Sequence, residues 1–519
     1  MKNYVLVLCT LALSMLDDSL HATASRPNII LIYVDDMGYG DASCLNPQAK
    51  FKTPNIDRLA REGMTFTDGH CSDTVCTPSR YGLLTGRYSW RTTLKRGVMG
   101  AEGACLIADG RMTLASFLGD NDYTTAMVGK WHLGMDFPGT KGNRNWKHPV
   151  KDMPLDKGFD YFWGIPASMN YGVLAWFEGR RAKVPPTLFT SKKPSKIAIA
   201  DYRIMPPYQK TRIKAPVPKE SGGRKMSLKG KGLEVASDFV DIECLDRFTT
   251  QSLRWLDGRE EPARKGKPFF LYLPYTSPHK PVIPKAKFRG QGETGAYGEF
   301  MIETDWHLGR IMKWLDEENL ADNTMVIFTS DNGPEKTWSK RIELYGHHSN
   351  GIYREGKRSI YEGGHRVPFI VRWPAKVKAN SKWNEPVCQT DLLATFANML
   401  GKNLPQNAGE DSDSFYGVLT GTEETAPRVP MVHHSSQGRY AVREGKWKLV
   451  MEDARKNKRE LYDLFADPKE TKNLISDHPD IQQQLAAKLT ALINSGRSTP
   501  GNPQKNDTPH WRDLVWIRK

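Results

Sequence analysis

The chain has 519 residues, 39% hydrophobic and 26% charged, with a formal net charge of +15. That composition excludes a disordered chain and a membrane bundle, and the length suffices for a proper core in one large domain or two unequal ones. Its seven cysteines, Cys9, Cys44, Cys71, Cys76, Cys105, Cys244 and Cys388, are too sparse and irregular for a disulfide scaffold or for paired zinc sites.

At the amino terminus Lys2 precedes an apolar run from Tyr4 to Leu16, closed by Asp17-Asp18 and followed by Ala22-Thr23-Ala24. This pattern predicts a signal peptide over residues 1–24 and an exported protein, periplasmic or extracellular. The run is too short to cross a bilayer, so the mature chain is expected to carry no integral membrane span.

Four apolar runs then lead directly into polar residues, with helical patterns between them. Asn28 to Val34 runs into Asp35-Asp36, and Tyr123 to Val128 into Gly129-Lys130-Trp131-His132. Phe269 to Leu273 leads to Ser277-Pro278-His279, and Met325 to Thr329 leads to Asp331-Asn332. A fifth run, Pro368 to Trp373, has no such tail. The pattern predicts an α/β fold: a large, mixed, mostly parallel central sheet flanked by helices. Helices are expected at Asn55–Glu62, Thr113–Leu118, Phe300–Glu318 and Asp391–Leu400, the last ended by Gly401. Ligands of open α/β sheets collect at the carboxyl ends of the strands, so the four polar tails should converge on one edge.

Between Arg180 and Gly232 lie fifteen Lys or Arg against two acids, Asp201 and Glu220, in a proline-rich stretch. Such a segment is either a solvated loop or an excursion near a site that attracts polyanions. No helix-turn-helix, finger or RNA-binding aromatic pattern accompanies it, so nucleic acid is not the expected partner. After about residue 425 the texture changes to short strand-like pieces, Arg439–Arg443, Trp447–Val450 and Glu460–Leu464, followed by an amphipathic helix from Asp480 to Asn494. The expected division is therefore a catalytic α/β domain over residues 25–425 and a smaller C-terminal antiparallel-sheet-plus-helix subdomain over 426–519.

Cys76-Thr77-Pro78-Ser79-Arg80 precedes Tyr81-Gly82-Leu83-Leu84-Thr85-Gly86-Arg87, a stretch suited to begin a helix. Here the sequence closely resembles the type I sulfatases of the alkaline-phosphatase superfamily, whose Cys in C-x-P-S-R is oxidised to formylglycine after translation. The resemblance covers nearly the whole mature chain. It includes Asp35-Asp36, Gly129-Lys130-Trp131-His132, Ser277-Pro278-His279, Ser330-Asp331-Asn332-Gly333, Arg354-Glu355-Gly356-Lys357 and Glu362-Gly363-Gly364.

The resemblance implies hydrolysis of sulfate esters, with partners that include a sulfated carbohydrate and a formylglycine-generating or sulfatase-maturating enzyme. Hydrated formylglycine at position 76 would attack sulfur with one hydroxyl and release sulfate on deprotonation of the other. Asp35, Asp36, Asp331 and Asn332 offer the oxygen donors a hard cation prefers; by resemblance the ion is Ca²⁺, with residue 76 among its ligands, and Mg²⁺ fits the ligand type alone. By resemblance Arg80 and Lys130 support the hydrate and His132 takes its proton, while His279 and Lys357 contact the sulfate, one of them as general acid. Lys130, His279, Lys357 and, toward the sugar, His347 form the expected substrate-binding set. General likeness to arylsulfatases acting on glycans makes galactose or N-acetylgalactosamine sulfates the first expectation. A phosphate or phosphonate ester hydrolase of the same superfamily, and a polyanion-binding protein with Cys76 unmodified, are the alternatives.

Overall fold

The computed structural model describes residues 26–190, 226–227, 233–423 and 428–517. The signal-like segment 1–24, most of the basic stretch and the expected division at residue 425 lie outside the described residues.

The central sheet has ten strands: β1 (Asn28–Asp35), β2 (Met64–Phe66), β3 (Thr124–Lys130), β4 (Tyr161–Ile165), β5 (Phe177–Glu178), β6 (Arg181–Ala182), β7 (Phe269–Pro278), β8 (Thr324–Ser330), β9 (Phe369–Arg372) and β10 (Ser381–Trp383). Their order in space is β6-β5-β4-β3-β7-β1-β8-β9-β2-β10. The strands from β4 to β8 are parallel neighbours, paired in register from Ile29 opposite Phe270 and Met325 outward. β1, β7 and β8 are buried along their whole length, which is why they read as continuous apolar runs rather than alternating ones.

The fifth run forms β9, but antiparallel to β8, with Thr329 opposite Phe369 and Val326 opposite Arg372. Its carboxyl end therefore points to the opposite edge of the sheet, which explains the missing polar tail. β7 extends through Pro278, beyond the apolar run, because its polar end stays buried beside Asp35 of β1. β4 escaped the apolar-run criterion because its run is short and broken by Gly164.

Helices α1 (Pro54–Glu62), α2 (Cys76–Thr85), α3 (Leu114–Gly119), α4 (Cys244–Leu256), α5 (Gly295–Glu317), α6 (Trp338–Tyr345), α7 (Glu362–His365) and α8 (Leu392–Met399) connect and cover the strands. α4 and α5 pack on each other and on β7, while α2 packs beside α3 and α8. α2 is buried on every side, so it shows no amphipathic pattern, and Gly86 at φ +63° closes it with its N–H on the Gly82 carbonyl. Gly129 is required at the end of β3: at φ +143° a side chain would be strained, and a Cβ would lie 2.1 Å from the Pro274 oxygen.

The C-terminal sheet has four antiparallel strands, β11 (Met431–His434), β12 (Tyr440–Glu444), β13 (Trp447–Val450) and β14 (Glu460–Asp463), covered by α9 (Pro479–Ser495). β11 is one strand more than the sequence pattern predicts. Tyr88 and Trp90, just beyond α2, belong to the core of this sheet with Val442, Leu449, Leu489 and Trp511. Where α7 meets the sheet, three buried histidines pack together. The His365 and His433 rings stack at 3.7 Å, and His70 Nδ1 lies 3.0 Å from His365 Nδ1. Asp68 pairs with Arg443 and Arg366, and Glu362 and Glu470 pair with Lys448, so three carboxylates face three cations around the rings.

Burial holds all three imidazoles below the usual histidine range, and hence neutral. In the unfolded chain they titrate near pH 6.5, so their contribution is fully present above about pH 6.5 and is lost as the pH falls, by up to about 1.4 kcal/mol per unit for each group. Urea unfolding should therefore show stability falling below pH 6.5. His433→Phe, which keeps a stacked ring but removes one titrating group, should flatten that slope; parallel profiles for the two proteins would contradict the assignment.

Candidate active site

The carboxyl ends of β1, β3, β7 and β8 and the first turn of α2 meet at one edge of the sheet, as the four polar tails predict. Asp35 ends β1, Lys130 ends β3, His279 follows β7, and Asp331-Asn332 follow β8. Cys76 opens α2 behind an extended Val75, and Arg80 one turn later shares its helix face.

Three buried carboxylates are each held by a buried cation. Lys130 Nζ binds Asp35, Lys357 Nζ binds Asp36, and Arg80 Nη2 binds Asp331 at 2.8 Å while lying 3.8 Å from Asp35. Cys76 Sγ stands between the pairs, 3.6 Å from Asp35 Oδ1 and 3.5 Å from Lys357 Nζ. His279 Nε2 lies 3.9 Å from Asp36 Oδ2. Ligand atoms of Asp35, Asp36, Cys76 and His279 all fall within 4.8 Å of one another. Asp331 accepts from the Asp36 N–H at 3.1 Å, and Asn332 donates to Asp36 Oδ1 at 2.8 Å.

The donor set suits a hard cation. Asp36 Oδ2 and Asn332 Oδ1 are buried acceptors with no hydrogen-bond partner among the described residues. Burial, and then the neighbouring Asp35 charge, pushes the Asp331 carboxyl up to about 6, a crowding that a cation among these oxygens would relieve. Burial also acts on Asp36, but Lys357 and His279 overcome it and hold that carboxyl at about 2.

Hydrogen bonds fix the tautomers of both site histidines. His132 Nε2 faces the Met99 carbonyl at 3.0 Å and must donate to it, which leaves Nδ1 as a bare acceptor, buried and without a hydrogen-bond partner among the described residues. Burial, reinforced by Lys130 and Arg80, keeps this imidazole well below the usual range. His279 donates from Nδ1 to the Lys280 carbonyl at 2.7 Å and presents Nε2 to the site. Asp36 and His132 both sit at positive φ, 71° and 64°, a strain that non-glycine residues keep only where surrounding structure enforces it. Burial pushes the Cys76 thiol up to about 12, so the unmodified side chain is almost wholly un-ionised at neutral pH and a poor nucleophile.

His347 does not join this group. It is fully buried, with Nε2 2.8 Å from Asp41 and Nδ1 accepting from the Lys50 N–H at 3.3 Å, so both ring nitrogens are engaged by protein groups. Cys71 is a buried thiol donating to the Asp73 and His365 carbonyls. Sequence reading missed Glu335, which binds Arg358 at 2.6 Å and Lys280 at 3.2 Å and so braces the neighbours of Lys357 and His279. Its only sequence signal is its place two residues beyond Gly333.

Arg80→Ala would leave Asp331 and Asp35 buried without their guanidinium, and should cost about 3–5 kcal/mol in urea unfolding of the metal-free protein. A loss below about 1 kcal/mol would show that Arg80 does not compensate those buried carboxylates.

Known proteins resemble the chain along most of its length. Residues 27–402 match the family model described as sulfatase, and residues 350–495 match that of the N-sulphoglucosamine sulphohydrolase C-terminal region. The chain is 34% identical over 500 residues to an N-acetylgalactosamine-6-O-sulfatase of Bacteroides thetaiotaomicron, covering 90% of this chain and 93% of that protein. It is 30% identical to human arylsulfatase A, with 92% and 91% covered. A solved B. thetaiotaomicron structure, described under the metabolism of multiple glycosaminoglycans, superposes with a TM-score of 0.76 at 31% identity over 90% of this chain and 99% of that one. The chain thus belongs to the sulfatase family, as a type I sulfatase of the alkaline-phosphatase superfamily that hydrolyses sulfate esters.

Proposed function

We propose that the protein is an exported sulfatase that removes sulfate from a sulfated carbohydrate, with 6-sulfated N-acetylgalactosamine or a galactose sulfate as the first candidate. The observation that carries the reading is the position of residue 76, at the first turn of a buried helix and between a Lys–Asp pair and a carboxylate cluster. The likeness to an N-acetylgalactosamine-6-O-sulfatase supports the sugar, and the signal-like residues 1–24 support export.

In this reading Cys76 is converted to formylglycine, whose hydrate supplies two geminal hydroxyls, one to take the sulfuryl group and one to release it. Asp35, Asp36, Asp331, Asn332 and residue 76 would hold a divalent cation, Ca²⁺ in preference to Mg²⁺, and that ion supplies charge neutralisation for a sulfate oxygen. The chain's own groups do the rest. Lys130, Lys357 and Arg80 set positive charge around a dry site, where it acts on an anion far more strongly than in water. His132 offers its bare Nδ1 to the proton that must leave residue 76. His279 Nε2 and Lys357 Nζ flank the thiol position and serve the sulfate and the bridging oxygen, one of them as the proton donor to the leaving alcohol.

Cys76→Ala and Cys76→Ser should both abolish turnover of a sulfated sugar while near-ultraviolet dichroism stays native, and the wild-type peptide spanning residue 76 should carry the mass of an aldehyde. Normal turnover by either variant would overturn the mechanism. Chelation should inactivate the enzyme and Ca²⁺ restore it better than Zn²⁺, with Asp331→Ala losing several powers of ten; full activity after exhaustive chelation would remove the cation from the reading. A matched panel of sulfate, phosphate and phosphonate esters should favour the sulfates.

A further inference from the structure

Away from Cys76, helices α4 and α5 enclose a cleft of about 700 Å³ on one face of the sheet. Six cations line it: Lys183, Arg247 and Arg254 on one side, Lys285, Lys287 and Arg310 on the other. Among the described residues its only lining acids are Glu243 and Asp246, so the lining holds four more cations than acids, although Glu178, outside it, binds Lys183. Glu243 binds Arg247 at 2.8 Å, and Asp246 binds Lys285 and lies 3.6 Å from Arg310.

Three of these cations also rest on indole rings. Lys287 Nζ is 3.1 Å from the centre of the Trp306 ring, the Arg310 guanidinium 5.2 Å from the same ring, and that of Arg247 4.9 Å from Trp176. An aromatic face positions a cation without cancelling its charge, as a carboxylate would. Trp306 is itself 38% exposed, an unusual state for a tryptophan, and it stands at the lip of the cleft. The cleft is thus concave and cationic, with three of its cations seated on tryptophan rings, features that suit a multiply charged anion of some size.

Its position relative to the reaction centre narrows the ligand. Lys285 follows His279 by six residues, so the two Cα atoms are at most about 20 Å apart. A separation of that order lies within the reach of a chain of several sugars. We propose that this cleft is a second, non-catalytic binding site for sulfated oligosaccharides, which retains the polymer while its terminal sulfate is presented to the active site. The proposal rests on the carbohydrate reading above.

The test uses the full-length holoenzyme and an Arg254→Ala/Lys287→Ala/Arg310→Ala variant. A 6-sulfated chondroitin hexasaccharide is titrated calorimetrically into each, with its desulfated counterpart and an oligothymidylate of similar charge as controls. Affinity for the sulfated hexasaccharide should fall by about tenfold or more in the variant, and the difference should vanish near 0.5 M salt, where exposed charges are screened within about 4 Å. Hydrolysis of 4-methylumbelliferyl sulfate should be unchanged, and restoring charge with Lys287→Arg alone in that position should recover part of the affinity. Equal affinity of wild type and variant for the hexasaccharide overturns the proposal, as does an equal loss on the desulfated chain or tighter binding of the oligothymidylate. Binding needs no turnover, so an enzyme that cleaves no sulfate ester would refute the proposed function while the titration still decides the cleft.

Discussion

The architecture depends on three carboxylates being held, out of water, at one edge of a parallel sheet. Isolated buried carboxylates would be prohibitively costly. Lys130, Lys357 and Arg80 make them tolerable, and each cation comes from a different part of the chain: a strand end, a loop and a helix face. The same arrangement that solves a folding problem leaves a dense field of fixed charge around residue 76. Removing water makes that field effective, and the strain at Asp36 and His132 is maintained because every neighbouring element is already fixed by the pairing.

Much of this edge is legible in the sequence, for a physical reason. Parallel strands buried on both faces must be continuously apolar, so β1, β3, β7 and β8 stand out, and the residues that follow them are polar because that edge carries the chemistry. The Cys76 motif is local, and so is its helix. What escapes reading depends on distant partners. His70, His365 and His433 lie in three separate parts of the chain, and no spacing rule links them. His347 shows the converse: a pair of adjacent histidines near Lys357 suggests a ligand, yet Asp41, some three hundred residues earlier, claims its Nε2. The cleft beside Trp306 is invisible for the same reason, since its cations are scattered between residues 183 and 310.

The C-terminal sheet packs closely on the elements that precede it. Its core takes in Tyr88 and Trp90, its β11 places His434 on Asp73, and its Arg443 reaches Asp68. Texture change along the sequence marks where the chain begins a new kind of sheet, but it does not measure how much surface that sheet shares with what came before.

Arg87 and Arg91, which closely follow the helix begun by Cys76, are bound by Asp507 and Asn506, as well as by Asp411. The seat of the nucleophile's helix thus depends on residues more than four hundred positions away in the chain. A change at Asp507 or Asn506 would disturb how residue 76 is held without touching any catalytic side chain.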